Sequence, residues 1–133
     1  MALSGKILLV DDEEAFVRHL GRRLRAEGLE VREAASGPQA LDVLERESFE
    51  VVILDMLMPG MDGLEVLKKI KEVHPLTEVM ILTGHGSVSS GVAALKMGAF
   101  DYLMKPCELD DLLDRIRRAR EKKEIEEGRA LYG

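Results

Sequence analysis

Short apolar runs alternate with helical spacings of apolar residues along the whole chain. The apolar runs predict strands over 6–10, 29–34, 51–54, 79–82 and 100–104. The helical spacings predict helices over 13–27, from residue 36 onwards, over 64–73, over 88–97 and from about residue 109. Strand–helix alternation of this kind predicts an α/β fold, with a five-stranded parallel sheet and helices on both faces.

Local signals mark the ends of two predicted helices. Gly28 follows the first helix, where a left-handed glycine commonly ends a helix. Ser36 precedes Gln39 by three residues, which is the spacing of a capping box. The run at 51–54 is apolar on both faces and is therefore expected to be a central strand.

Polar residues follow four of the five predicted strands. Asp11 and Asp12 follow the first, Asp55 the third, Thr83 the fourth and Lys105 the fifth. Ligands of open parallel sheets bind outside the carboxyl ends of the strands, so these side chains are expected to meet at one edge. An aspartate after an apolar run is usually only a turn former. The joint occurrence of these residues at strand ends favours a functional site instead.

The chemistry of this set suits a phosphoryl group. Three converging carboxylates repel one another unless a cation lies among them, and oxygen ligands favour a hard ion such as Mg²⁺. Asp55 is the best-placed nucleophile, because carboxylates form aspartyl-phosphates. Lys105 and Thr83 supply an ammonium and a hydroxyl for the oxygens of a transferring phosphoryl group.

Composition narrows the class of protein. A chain of 133 residues suits one domain with a single continuous core. Its net charge of −6 argues against binding nucleic acid directly, and no apolar run is long enough for a membrane span. The first residues do not form a signal peptide, and a single cysteine fits a reducing compartment. We therefore expect a cytoplasmic protein.

Four sequence blocks together resemble the receiver domain of two-component response regulators, over about residues 5–120. They are "LLVDDEE", "LDMLMPGMDG", "ILTGHG" and "DYLMKP". The resemblance implies a doubly wound, flavodoxin-like sheet of strand order 2-1-3-4-5. It also implies a signalling domain rather than an enzyme, which takes a phosphoryl group from a sensor histidine kinase or a phosphotransfer domain and assists its own phosphorylation and dephosphorylation.

The resemblance assigns roles at the metal and acceptor positions. Asp55 is implied as the phosphoacceptor and as a Mg²⁺ ligand. Asp12 is implied as a direct ligand, Asp11 as one that acts largely through water, and Leu57 as a ligand through its backbone carbonyl. The peptide bond between Lys105 and Pro106 is implied to be cis.

Other positions are implied to transmit or time the signal. Thr83 and Lys105 match the family's switch hydroxyl and lysine, and Tyr102 matches its aromatic switch residue. The surface expected to change is the helix over 88–97, the strand over 100–104 and the last helix, a face that also allows a homodimer. Leu57 and His85 are expected to flank the path of the hydrolytic water and to modulate dephosphorylation.

Two other functions compete with this interpretation. A Mg²⁺-dependent phosphatase of the haloacid dehalogenase type also uses an aspartate nucleophile, but it needs a second aspartate two positions later, where this chain has Leu57. A phosphorylation-independent pseudo-receiver would lack an acid, Thr83 or Lys105, and all of them are present.

The charged segment at 121–133 follows the predicted receiver at 1–120. It is interpreted as a solvated helix end or, alternatively, as a linker toward an output domain or a dimer partner. It is too short to be an output domain itself. The sequence is thus expected to be a stand-alone receiver or a piece of a longer regulator that controls transcription through an absent or separate output.

Overall fold

The computed structural model describes residues 5–58, 60 and 62–132. Its strands are β1 (Lys6–Val10), β2 (Glu30–Ala34), β3 (Val51–Leu54), β4 (Glu78–Thr83) and β5 (Asp101–Met104). Its helices are α1 (Glu14–Ala26), α2 (Gly37–Arg46), α3 (Gly63–Val73), α4 (Val88–Lys96) and α5 (Leu109–Tyr132). All four strand pairings are parallel and the order is β2-β1-β3-β4-β5, which confirms the predicted fold.

The sheet separates two apolar cores. Alternate residues of each strand point to opposite faces, so Val52 and Leu54 of β3 join one core while Val51 and Ile53 join the other. Helices α2, α3 and α4 cover the first face, and α1 and α5 cover the second. All four residues of β3 are buried, as expected for a central strand.

The predicted helix ends are found with one difference. Gly28 has φ of +98°, the left-handed conformation that ends α1. The Ser36 side chain accepts a hydrogen bond from the Gln39 backbone N–H at 3.2 Å, as in a capping box. The Gln39 side chain, however, accepts from the backbone N–H of Ala35 at 2.7 Å and not from that of Ser36.

Helix α5 continues to Tyr132 and so includes most of the charged segment. Two basic side chains at or beside the start of this extension form ion pairs with acids at the amino ends of β3 and β4. Arg120 pairs with Glu50, and Lys122 pairs with Glu78 at 3.0 Å. The extension is thus attached to the sheet at the end opposite Asp55. Within the described ranges, no helix is long and apolar enough to cross a membrane.

Candidate functional site

Three carboxylates meet at the carboxyl ends of the neighbouring strands β1 and β3. Asp11 and Asp12 follow β1, and Asp55 follows β3. One oxygen of each lies within 4.8 Å of one oxygen of the others. Asp55 and Asp11 are buried, at 2% and 5% exposed, whereas Asp12 is exposed. Charges this close strongly repel where water is scarce, and an oxygen-only donor set fits a hard cation such as Mg²⁺.

The Asp55 carboxylate is fixed by the backbone around it. The Asp55 N–H donates to the Val10 carbonyl at 2.9 Å, and the Asp55 Oδ1 accepts from the Met56 N–H at 2.8 Å. The start of α3 packs directly on this turn, because a Cβ at Gly63 would lie 2.6 Å from the Met56 Cα. Only glycine permits such an approach at that position.

Asp11 uses both carboxylate oxygens within the protein. Its Oδ1 accepts from the Glu13 N–H at 3.0 Å, and its Oδ2 accepts from the Lys105 ammonium at 2.7 Å. Burial raises the pKa of Asp11, an effect that the nearby Asp55 carboxylate increases and that the Lys105 hydrogen bond opposes. Both oxygens of Asp11 thus accept hydrogen bonds within the protein, whereas Asp12 is exposed beside it.

Lys105 lies at the end of β5 with its side chain 13% exposed. Its ammonium also donates to Glu13 at 2.9 Å and lies 4.1 Å from the centroid of the Phe16 ring. Burial alone would lower the pKa of Lys105, but hydrogen bonds to Asp11 and Glu13 outweigh it and the pKa is raised. The bond between Lys105 and Pro106 is cis, as the resemblance implied.

The switch positions lie on β4 and β5, the two strands that follow β3 in the order of the sheet. Thr83 is fully buried, and its hydroxyl accepts from the His85 N–H at 3.1 Å. The half-buried Tyr102 hydrogen-bonds through its hydroxyl to Ser90 of α4 at 2.8 Å. A Cβ at Gly86 would lie 2.2 Å from that hydroxyl, so the glycine makes room for the ring.

The remaining predicted site residues lie at the surface of this edge. His85 is exposed, and Leu57 is 54% exposed. Sequence reasoning did not assign Glu13, Phe16 or Ser90 to the site. Glu13 had a signal in the sequence, because it is the third acid of the block "LLVDDEE".

Residues 7–117 match the model of the response regulator receiver domain. The chain belongs to that family. The transcriptional regulatory protein GlrR of Escherichia coli K12 is 44% identical over 110 residues, which cover 83% of this chain and 25% of that protein. The receiver thus spans about a quarter of that relative's length.

Solved structures place the receiver in the same fold. A response regulator receiver domain protein of Clostridium thermocellum has 38% identity and a TM-score of 0.86, with 90% of this chain and 97% of that chain covered. NtrX of Brucella abortus has 32% identity and a TM-score of 0.88, with 96% and 30% covered.

Membership of the family confirms the predicted class of function, two-component signalling. Membership of this family implies that the receiver interacts with histidine kinases or phosphotransfer proteins.

Proposed function

We propose that this receiver accepts a phosphoryl group on Asp55 from a phosphohistidine of a sensor kinase or phosphotransfer domain. The observation that carries the proposal is the position of Asp55, buried at the end of the central strand with Asp11 and Asp12 beside it. In the reaction, an Asp55 oxygen forms the new bond to phosphorus. The histidine nitrogen leaves with the electron pair of the broken bond.

Receiver domains generally bind Mg²⁺, and the acidic cluster fits that ion. We assign Asp12, Asp55 and the Leu57 backbone carbonyl as direct ligands, and Asp11 as a ligand through water. When bound, Mg²⁺ neutralises charge on the transferring phosphoryl oxygens. Lys105 and Thr83 of the receiver bind two of those oxygens through their ammonium and hydroxyl groups.

Incubation with acetyl phosphate tests the proposed function without requiring the cognate kinase. In the presence of Mg²⁺ the intact mass of the receiver should rise by one phosphoryl group, and a chelator should prevent the change. A receiver that gains no phosphoryl group with Mg²⁺ and excess donor contradicts the proposal.

The two aspartates after β1 should contribute unequally to metal affinity. Asp12→Ala removes a direct ligand, whereas Asp11→Ala removes a carboxylate whose oxygens already bind Glu13 and Lys105. We expect a larger rise in the Mg²⁺ dissociation constant for Asp12→Ala, measured by calorimetric titration. Asp42→Ala on the exposed side of α2 is the control. Equal losses at Asp11 and Asp12 would contradict this assignment.

We propose that Leu57 and His85 set the lifetime of the phosphorylated state by flanking the path of the attacking water. Leu57 offers that water no hydrogen bond, so Leu57→Asn should speed dephosphorylation. The decay of phosphorylated receiver is followed by intact mass after removal of acetyl phosphate. Val73→Asn, at an exposed apolar residue of α3, is the control. A decay in Leu57→Asn that is unchanged or slower than in wild type would remove this role.

We propose that phosphorylation changes the surface formed by α4, β5 and α5. Exposed apolar side chains already lie on it, namely Val88, Val92, Leu95 and Met104. A surface of this kind suits a partner or a second copy of the receiver. By analogy with GlrR, we further propose that an output outside this chain controls transcription, with no direct contact between this acidic receiver and DNA.

Thr83 should drive that change. The added phosphoryl group draws the Thr83 hydroxyl away from the His85 N–H, and Tyr102 then leaves its bond to Ser90 and turns toward the space behind Thr83. Inverting a roughly 1:99 ratio of switched to resting conformation requires ~5.5 kcal/mol. The hydrogen bonds of the phosphoryl oxygens to Thr83 and Lys105, at ~1.5–3 kcal/mol each, supply most of that free energy.

Mg²⁺ and beryllofluoride, a mimic of the phosphoryl group, are added to the receiver. The response is measured as the change in the amide NMR signals of α4 and as the change in self-association by sedimentation. Thr83→Ala should lose most of the response, Tyr102→Ala less of it, and Thr83→Ser, which keeps the hydroxyl, should retain it. A full response in Thr83→Ala would show that this coupling route does not operate.

A further inference from the structure

We propose that Glu13 is a positioning residue that holds the Lys105 ammonium away from the phosphoacceptor and thereby slows phosphorylation. This inference rests on the proposed function. Neither the predicted metal ligands nor the predicted switch residues include Glu13.

The contacts of Lys105 carry the argument. Its ammonium donates to Asp11 at 2.7 Å and to Glu13 at 2.9 Å, and it lies over the Phe16 ring. An ammonium has three N–H donors, so two of them are directed at the β1–α1 loop. The carboxylates of Asp11 and Glu13 therefore compete with a phosphoryl oxygen on Asp55 for the same ammonium.

At its backbone position, Glu13 binds Lys105 instead of making the usual hydrogen bond of an N-cap side chain. Glu13 occupies the N-cap of α1, where a side chain usually accepts a hydrogen bond from the first turn of the helix. The Glu13 side chain makes no such bond and instead extends to Lys105. The contact is an ion pair at 2.9 Å between the Glu13 carboxylate and the Lys105 ammonium.

Chain length makes the contact specific to glutamate. Aspartate is one methylene shorter and is a strongly preferred N-cap residue. Glu13→Asp should therefore bond to the helix N–H groups and release Lys105, although the charge at position 13 is kept. Glu13→Gln keeps the length and removes the charge. If Glu13 acts by binding Lys105, both variants should be phosphorylated faster than wild type. If Glu13 acts only by repelling an anionic phosphoryl donor, only Glu13→Gln should be faster.

The test compares phosphorylation of the full chain by acetyl phosphate at saturating Mg²⁺. The rate is measured over a range of donor concentrations, which separates the maximal rate from the half-saturating concentration. Glu13→Gln and Glu13→Asp should both raise the maximal rate about two- to fivefold, the factor expected for one exposed ion pair. Glu14→Gln, the adjacent exposed acid, should match wild type, and thermal unfolding should confirm that every variant is folded.

Each result decides between the alternatives. If Glu13→Asp is phosphorylated at the wild-type rate, the proposed contact between Glu13 and Lys105 does not slow phosphorylation. The same follows if Glu14→Gln and Glu13→Gln accelerate phosphorylation equally, because the effect is then one of general charge. An unchanged or slower Glu13→Gln in a receiver that phosphorylates normally would overturn this inference alone. Absence of phosphorylation in wild type would overturn the proposed function and this inference with it.

Discussion

Asp55→Asn should abolish phosphorylation of this receiver. The amide keeps the shape of the side chain and can still accept from the Met56 N–H through Oδ1. It lacks the negatively charged oxygen that attacks phosphorus. Asp11 and Asp12 should not replace Asp55 as phosphoacceptor. The two oxygens of Asp11 already bind Glu13 and Lys105, and Asp12 is exposed, outside the buried end of β3.

The loss is measured as the fraction of protein that gains a phosphoryl group from acetyl phosphate and Mg²⁺. Asp110→Asn, an exposed aspartate in the first turn of α5, is the control and should be phosphorylated like wild type. Asp55→Asn should be at least as stable as wild type, since one of three mutually repelling carboxylates is neutralised. Full phosphorylation of Asp55→Asn would show that the acceptor is misassigned.

Lys122→Met should strongly destabilise the receiver, although Lys122 lies beyond the residues that match the family model. Its ammonium pairs with the Oε1 of Glu78, whose side chain is fully buried and whose Oε2 has no hydrogen-bond partner among the described residues. Breaking a buried pair from one side leaves an uncompensated charge and typically costs about 3–5 kcal/mol. Because Lys122 is half exposed, we expect a loss near the lower end, about 3 kcal/mol.

Urea denaturation measures this free energy of unfolding. Lys69→Met, an exposed lysine of α3, is the matched control and should change stability little. The double variant Glu78→Met with Lys122→Met should recover much of the loss, because the remaining buried charge is removed. If Lys122→Met is as stable as Lys69→Met, the extension of α5 contributes nothing to the folded domain.

The features predicted correctly from the sequence are those with a local pattern. The apolar run of β3 predicts a central strand, and the polar residues at the ends of β1, β3, β4 and β5 predict the edge at which they meet. Parallel strands bring their carboxyl ends together whatever the helices between them contain. The positions of the acidic cluster and Lys105 therefore follow from strand ends alone.

Long-range charge pairs have no such pattern. Glu78 begins β4 and Lys122 lies 44 residues later, in a segment where eight of ten residues from 120 to 129 are charged. A run of this composition predicts a solvated helix end or a linker, and nothing local distinguishes the lysine that reaches the sheet. The bonds of Lys105 to Glu13 and of Tyr102 to Ser90 were missed for the same reason, since each depends on how two elements pack.

The site of phosphorylation tests the central claim most directly. Receiver treated with acetyl phosphate and Mg²⁺ is reduced with borohydride, which converts an aspartyl-phosphate to homoserine, and is then digested and sequenced by mass spectrometry. We predict homoserine at position 55, dependent on both Mg²⁺ and donor, and unmodified aspartate at positions 11 and 12. Homoserine at another aspartate, with position 55 unmodified, would contradict the assignment of Asp55 as the phosphoacceptor.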